Sequence, residues 1–162
     1  MLQKKDAALM LEWMHDENVV GYLQGQFRSK QIGDCERFIE SSLKDQSNLH
    51  MAVVDENDVY MGTVSLKHIS LIKKTAEFAI ALRTCAIGKG YSQYAMKQML
   101  LTGINKIKLD KIYWCVSEKN KRAVRFYDKN GYRRVSMAGQ QIEGYEDKQI
   151  KEYIWYLYEK QT

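Results

Sequence analysis

Two glycines stand where the chain passes from an alternating stretch into a segment of helical character, in the run Gly88-Lys89-Gly90. Glycine lets a backbone approach a ligand closely, and the start of a helix presents unpaired N–H groups to an anion such as a phosphate. The spacing matches neither a Walker loop nor a dinucleotide-binding Gly-x-Gly-x-x-Gly loop. Taken alone, this segment predicts either a tight turn or a phosphate-binding loop.

A second run, residues 120–132, contains a hydroxyl that could carry a proton. Asn120 is suited to cap a helix, and Gly131 to the left-handed position at its end. Ala123 and Tyr127 are four residues apart, so they share one face of that helix. Aromatic residues in such a place usually belong to the core, but a tyrosine that faces a pocket can donate a proton. Tyr127 is therefore a candidate either for packing or for general acid catalysis.

Length and composition predict one globular domain over residues 1–162. Of the 162 residues, 45% are hydrophobic and 28% are charged, which is typical of a folded domain of this size. No apolar stretch approaches the ~20 residues that cross a bilayer, and no long apolar segment follows the N-terminal lysines. We therefore expect a cytoplasmic protein with no membrane partner. Three widely spaced cysteines favour reduced thiols and predict no metal site.

The charge is divided unevenly along the chain. Residues 1–60 carry six Lys/Arg and eleven Asp/Glu, a net of −5, whereas residues 83–134 carry 13 and three, a net of +10. Such a window predicts an anionic partner nearby, and a scattered solvated surface is the alternative. A nucleic-acid-binding domain is a third possibility. Neither an aromatic RNA-binding platform nor a recognition helix accompanies the charge, so no nucleic-acid partner is expected.

The elements that must position these residues are read from hydrophobic periodicity and turn signals. Helices are predicted to begin after Asp6, Asp34, Gly90 and Asn120. Strands are predicted at residues 50–54, 59–67, 74–83, 111–116, 132–136 and 150–158. This order predicts an α+β fold, in which a mixed sheet has helices on both faces.

The glycine loop and the 120–132 run together resemble the GNAT superfamily of acetyl-CoA-dependent N-acetyltransferases. The family motif Asn-x-x-Ala-hydrophobic-x-Phe/Leu-Tyr-x-x-x-Gly-Phe/Tyr is matched at every specified position of that run. The cofactor motif, Gln/Arg-x-x-Gly-x-Gly/Ala, is matched at Gly88 and Gly90, whereas Ile87 and Ser92 depart from it.

A third segment, residues 76–82, looks like the strand before the cofactor loop in two branches of the family, the ribosomal-protein N-terminal acetyltransferases and the spermidine acetyltransferases. Thr84 stands where a proline often ends that strand. The resemblance implies a mixed, mainly antiparallel sheet of six to seven strands, splayed at its centre and flanked by about four helices. It also implies that acetyl-CoA is the cosubstrate and that no covalent intermediate forms on Cys85. We expect a monomer or homodimer.

The resemblance assigns roles to residues that the motifs match. Tyr127 is the implied general acid for the leaving thiolate. Glu77 is the general base, a group that binds the acceptor, or a surface glutamate. Apart from the resemblance, His68, at the end of the preceding strand, is an alternative base because histidine is a common general base near neutral pH. The residues implied to bind acetyl-CoA are Ile80, Ala81, Leu82, Ile87, Gly88, Lys89, Gly90, Tyr91, Ser92, Asn120, Ala123 and Lys129.

The acceptor is the least specified part. Residues 16–35 and the loop 139–149 are expected to shape its pocket. A primary amine of a small molecule is favoured, with an amino sugar as the named candidate. A protein N-terminus and a polyamine are alternatives; Lys67 and His68 argue against a polyamine, and the acidic N-terminal region argues for one. From another class, a non-catalytic acetyl-CoA-binding module remains open.

Overall fold

A six-stranded sheet organises residues 1–160, which the computed structural model describes. The strands are β1 (Leu49–Val54), β2 (Tyr60–Ser70), β3 (Thr75–Leu82), β4 (Lys111–Ser117), β5 (Arg133–Val135) and β6 (Tyr153–Glu159). Their order across the sheet is β1-β2-β3-β4-β6-β5, and every pair is antiparallel except β3 with β4. The mixed, mainly antiparallel α+β sheet expected from the sequence is confirmed.

Helices cover both faces of this sheet. They are α1 (Ala7–Met14), α2 (Glu17–Val20), α3 (Ile32–Ser42), α4 (Tyr91–Leu101), α5 (Lys121–Lys129) and α6 (Asp147–Glu152). Alternate β3 side chains point to opposite faces: Phe78 and Leu82 join the core beneath α4 and α5, and Ala81 packs against the cluster of α1 and α3. No helix within residues 1–160 is long and apolar enough to cross a membrane.

The sheet opens at its centre, because β3 and β4 are paired over only three residues. The parallel register runs from Thr75 opposite Lys111 to Glu77 opposite Tyr113 and then stops. Beyond that point β3 pairs only with β2, and β4 pairs only with β6. The sheet is therefore splayed between two strands that diverge from Glu77 onward.

Two details of the sequence prediction were wrong. Residues 147–152, expected as loop and strand, form α6, and β6 begins three residues later than predicted. The cause is a capping box, in which the Glu146 N–H donates to Gln149 Oε1 at 2.8 Å. Similarly, α3 begins at Ile32, and Asp34 accepts from the Gln31 N–H at 2.8 Å from inside the first turn.

Candidate active site

A cleft of about 690 Å³ occupies the opening between β3 and β4. Its walls include ten of the residues predicted for the site: Glu77, Ile80, Ala81, Leu82, Ile87, Gly88, Ser92, Asn120, Ala123 and Tyr127. Four predicted cofactor residues are not among its walls: Lys89, Gly90, Tyr91 and Lys129. Three of these four lie within the glycine loop or directly after it, and Lys129 is the last residue of α5.

One wall of the cleft is an unpaired strand edge. Residues 78–82 of β3 hydrogen-bond to β2 on one side and have no strand on the other. Alternate backbone N–H and C=O groups therefore point into the cleft without a sheet partner. A ligand that carries amide groups, such as the pantetheine arm of coenzyme A, can pair with this edge as an added strand.

The glycine loop closes one end of the cleft with backbone groups. Gly88 and Gly90 have φ angles of +76° and +85°, which favour glycine, and α4 begins directly after them. A Cβ atom built at either glycine meets no atom within 4 Å, so the space above the loop is open. The first N–H groups of α4 have no partner within the helix and are available to an anion.

The start of α5 faces the same cleft. Asn120 Oδ1 accepts a hydrogen bond from the Ala123 N–H at 3.2 Å, as the sequence predicts for a helix cap. That bond uses the side-chain oxygen of Asn120 and leaves its amide N–H groups for a ligand. Lys129 ends the helix, away from the cleft that the helix start lines.

Tyr127 lies in the cleft wall with its ring packed in an aromatic cluster. It is 8% exposed, and its ring centroid is 5.5 Å from that of Trp114 and 5.0 Å from that of Tyr156. Burial, and secondarily the neighbouring Tyr156, raises the pKa of the Tyr127 phenol well above its ordinary value. The hydroxyl therefore stays protonated at neutral pH and can donate to a group in the cleft.

Glu77 is a buried carboxylate at the point where the strands part. It is 3% exposed. Its Oε1 accepts a hydrogen bond from the Tyr145 hydroxyl at 2.6 Å and lies 3.2 Å from Lys67 Nζ. Its Oε2 is buried and has no hydrogen-bond partner within residues 1–160; His68 Nε2 is 3.8 Å away.

Glu77 and Tyr127 belong to opposite faces of the sheet. Tyr127 packs with Phe78 and Trp114 in the core under α4 and α5. Glu77 is one residue before Phe78, so it points to the other face, where it meets Tyr145. The gap between β3 and β4 joins the two faces, so both side chains line the same cleft.

Comparison with known proteins now identifies the family. A model described as an acetyltransferase (GNAT) domain matches residues 1–133. The chain belongs to the GNAT family. This GNAT chain is 24% identical over 132 residues to a spermidine N(1)-acetyltransferase of Vibrio cholerae. The aligned region covers 81% of this chain and 75% of the relative. It is also 31% identical over 103 residues to the Escherichia coli K12 spermidine N(1)-acetyltransferase, covering 60% of the chain and 55% of the relative.

Solved structures have the same fold. The V. cholerae spermidine N-acetyltransferase in complex with CoA and spermine superposes with a TM-score of 0.80 at 20% identity, covering 98% of this chain and 92% of that one. A dodecameric structure of the V. cholerae enzyme superposes with a TM-score of 0.71 at 20% identity, covering 98% and 90%. The splayed GNAT fold is thus common to these proteins.

Family membership makes the chain an acetyl-CoA-dependent acyltransferase that acts on amines. The cleft suits acetyl-CoA, since it combines an unpaired strand edge for the pantetheine amides with an open helix start for the phosphates. Arg122 also lines the cleft, and no acidic side chain within residues 1–160 pairs with it.

The GNAT site contains residues that the sequence did not single out. Tyr145 comes from the 139–149 loop that was expected to shape the acceptor pocket, but no motif marks it. Cys115 and His50 also line the cleft. Burial raises the pKa of the Cys115 thiol to about 11 and lowers the pKa of His50. Both side chains are therefore uncharged at neutral pH.

Proposed function

We propose that this GNAT enzyme transfers the acetyl group of acetyl-CoA to a primary amine of a polyamine, such as spermidine or spermine. The observation that carries the proposal is the Glu77 carboxylate, which is 3% exposed and has one oxygen without a partner beside the gap in the sheet. A buried, unpaired carboxylate oxygen is costly unless a cation reaches it. A protonated amine is such a cation.

The other walls of the acceptor side suit an aliphatic cation. Trp13, Tyr22 and Phe27 line the cleft and offer ring faces to methylene groups and to ammonium groups. Asp34 lies on the same side, with its carboxylate paired to Arg37 at 2.6 Å. These walls come from residues 1–60, the part of the chain with a net charge of −5. A polycation is therefore attracted to this end of the cleft.

The amino sugar, the first candidate from the sequence, has less support. A nucleotide-linked sugar would need free cations for its phosphates on the acceptor side. Lys67 lies 3.2 Å from Glu77 Oε1 and is engaged with it, which leaves Lys30 as the lysine of the cleft wall that forms no ion pair within residues 1–160. The relatives described above are named as spermidine acetyltransferases, which favours the polyamine.

In this proposal Glu77 binds the acceptor and takes its proton. Oε2 receives the ammonium group and removes a proton from it, directly or through water, so that the neutral nitrogen can attack. His68 Nε2 is 3.8 Å from the same oxygen. On the other side of the ring, His68 Nδ1 lies 3.3 Å from Oε1 of the exposed Glu143. We assign His68 to passing the proton outward and Glu77 to the first transfer.

Acetyl-CoA supplies an activated thioester, and the protein provides donors around it. Tyr127 donates its phenolic proton to the sulfur that leaves. Backbone groups of residues 80–82 pair with the pantetheine, and an N–H near Leu82 polarises the thioester carbonyl. The loop from Ile87 to Ser92 holds the pyrophosphate, while the Asn120 amide and Ala123 border the pantetheine. Lys129, at the far end of α5, contributes charge at a distance.

An acceptor panel tests the proposal. Release of free CoA is measured with spermidine, spermine, a nucleotide-linked amino sugar, an aminoglycoside and a peptide with a free N-terminus. Spermidine or spermine is expected to have the highest kcat/KM, with the acetylated product identified by mass spectrometry. An amino sugar or peptide that exceeds both polyamines by about tenfold or more would replace the proposed acceptor.

We also propose that the chain works as one acetyltransferase domain, because a single sheet runs from β1 to β6. A monomer or homodimer remains our prediction for its assembly. Light scattering coupled to gel filtration measures this directly, and a dodecamer like that of the V. cholerae protein would contradict it.

A further inference from the structure

Tyr145 holds the Glu77 carboxylate from the opposite side of the cleft. Its hydroxyl donates to Glu77 Oε1 at 2.6 Å and accepts from the Cys115 thiol at 3.3 Å. Its ring packs against Trp155 with the centroids 5.1 Å apart. Three contacts therefore fix the Tyr145 phenol: the packing of its ring against Trp155, the hydrogen bond it donates to Glu77 and the one it accepts from Cys115.

This arrangement makes the two oxygens of Glu77 different. Oε1 accepts a hydrogen bond from the Tyr145 hydroxyl and lies 3.2 Å from the Lys67 ammonium, whereas Oε2 has no hydrogen-bond partner within the described chain. We propose that Tyr145 is a positioning residue, which holds Glu77 so that Oε2 is directed at the acceptor nitrogen. The inference rests on the proposed role of Glu77 in binding an amine.

Two neighbouring side chains explain why such a hold is needed. Lys67 and His68 both lie on β2, within 3.2 Å and 3.8 Å of Glu77 oxygens. If the carboxylate were free to rotate, it would share both oxygens with these two groups and leave none for a substrate. The Tyr145 bond at 2.6 Å is shorter than either ion-pair distance and keeps the carboxylate in one rotamer.

Other titratable groups around Glu77 keep this arrangement intact near neutral pH. Burial, and secondarily Cys115, raises the pKa of Tyr145 far above its ordinary value, so the phenol remains a donor. Burial raises the pKa of Cys115 to about 11 and that of Tyr113 to about 12, so both β4 side chains are neutral. Glu143, from the loop before Tyr145, faces His68 at 3.3 Å.

The test is the substitution Tyr145→Phe, which retains the ring and removes the hydroxyl. We expect kcat/KM for the amine to fall about tenfold or more, mainly through a higher amine KM, because a hydrogen bond to a charged group is lost. The KM for acetyl-CoA should stay within about twofold, since the loop from Ile87 to Ser92 is untouched. Tyr158→Phe, which removes a hydroxyl from β6 outside the cleft, is the matched control and should behave as the wild type.

Two further measurements separate positioning from a general structural effect. In the Glu77→Gln background, Tyr145→Phe should change kcat/KM by less than about twofold, because no charged oxygen is left to position. In the native background, Tyr145→Phe should move the acidic limb of the kcat/KM profile to higher pH, because a donor that stabilises the ionised carboxylate is gone. The melting temperature of each variant confirms that it is folded.

The possible results are distinguishable. An unchanged amine KM and pH profile in Tyr145→Phe, with a polyamine as substrate, overturn the positioning role while the proposed function stands. An equal loss in the native and the Glu77→Gln backgrounds also overturns it. If the acceptor panel identifies another amine, the proposed function fails, and the Tyr145 variants are assayed on that amine, where the same expectations decide the inference.

Discussion

Removal of the Tyr127 hydroxyl is the most direct test of the chemistry. Tyr127→Phe retains a ring that packs 5.5 Å from Trp114 and 5.0 Å from Tyr156. The lost hydroxyl has no hydrogen-bond partner among residues 1–160, so the substitution leaves no stranded polar group behind. The free energy of unfolding should therefore change little, and any effect on turnover reports on the reaction.

The size of the effect follows from the two acids involved. A positioned general acid contributes on the order of 10²–10⁴-fold. A thiol of the cysteine type has an ordinary pKa of about 8.5, and burial holds the pKa of the Tyr127 phenol above its ordinary value of about 10. Proton transfer from phenol to thiolate is thus uphill, which places the contribution at or below the low end of that range. We expect kcat to fall about 10- to 100-fold, or about 1.4–2.7 kcal/mol in the barrier.

The assay measures CoA release at saturating polyamine and acetyl-CoA, together with the KM for acetyl-CoA. That KM should remain within about twofold of wild type, because the hydroxyl is proposed to meet acetyl-CoA only at the sulfur, whereas binding depends on the strand edge and the glycine loop. Tyr132→Phe is the matched control, since its ring is 5.2 Å from that of Trp114 in the same cluster but does not line the cleft. A Tyr127→Phe enzyme with unchanged kcat would refute the general-acid role.

Three further predictions concern the cofactor loop, the acceptor carboxylate and the pH dependence of stability. Gly90→Ala, at φ +85°, should raise the KM for acetyl-CoA and lower the free energy of unfolding by about 1–2 kcal/mol. The control Gly139→Ala, at φ +79°, should lower the free energy of unfolding by the same amount without changing that KM. Both steady-state kinetics and thermal unfolding are needed, and equal KM values in the two variants would contradict the loop's role. Glu77→Gln should remove the acidic limb of the kcat/KM profile if the carboxylate takes the proton; a changed amine KM with an intact limb would assign it to binding alone. Burial lowers the pKa of His50 in the folded state, so its contribution to stability is complete above the unfolded value of about 6.5 and is lost as the pH falls toward the folded value. The difference in melting temperature between wild type and His50→Gln should therefore shrink or reverse below about pH 6.5, and a constant difference would contradict the assignment.

Hydrophobic alternation predicted which face of the sheet each β3 side chain points to, but not the gap between β3 and β4. Period-two alternation places Phe78 and Leu82 on one face and Glu77 on the other, as the structure has them. The divergence of β3 from β4 has no local signal, because it depends on which strand stops pairing with which. It was expected only through the resemblance to a family, carried by the specific pattern in residues 120–132.

The acceptor side was the least predictable region for a related reason. Tyr145 reaches Glu77 across 68 positions in the chain, and no spacing rule connects residues so far apart. The helix directly after it, α6, was also missed, because its one buried residue, Ile150, stands just before the aromatic run of β6, whose residue types favour a strand. Contacts made by such loops depend on tertiary packing, and the residues on either side of the loop in the sequence do not reveal them.

The cations of the basic window at residues 83–134 fall into two groups, those that form ion pairs within the described chain and those that do not. A count of charges along the sequence could not distinguish the two groups. Five of its thirteen cations form ion pairs within the described chain: Arg83, Lys111, Lys121, Arg133 and Arg134. Arg83, directly after β3, pairs with Glu12 of α1, and Arg134 of β5 pairs with Asp128 of α5, next to Tyr127. These ion pairs therefore link the elements that carry the site residues.

Other cations of the window remain available to the cofactor. Lys89 in the glycine loop, and Arg122 and Arg125 on α5, form no ion pair within residues 1–160. They lie on the glycine loop and on α5, which border the end of the cleft where we propose that the phosphates bind. Charge attraction between exposed groups is screened at high salt, whereas contacts of the strand edge are not. The affinity for acetyl-CoA should therefore fall with ionic strength more steeply than the affinity for a pantetheine fragment without phosphates, and equal salt dependence would remove these cations from the site.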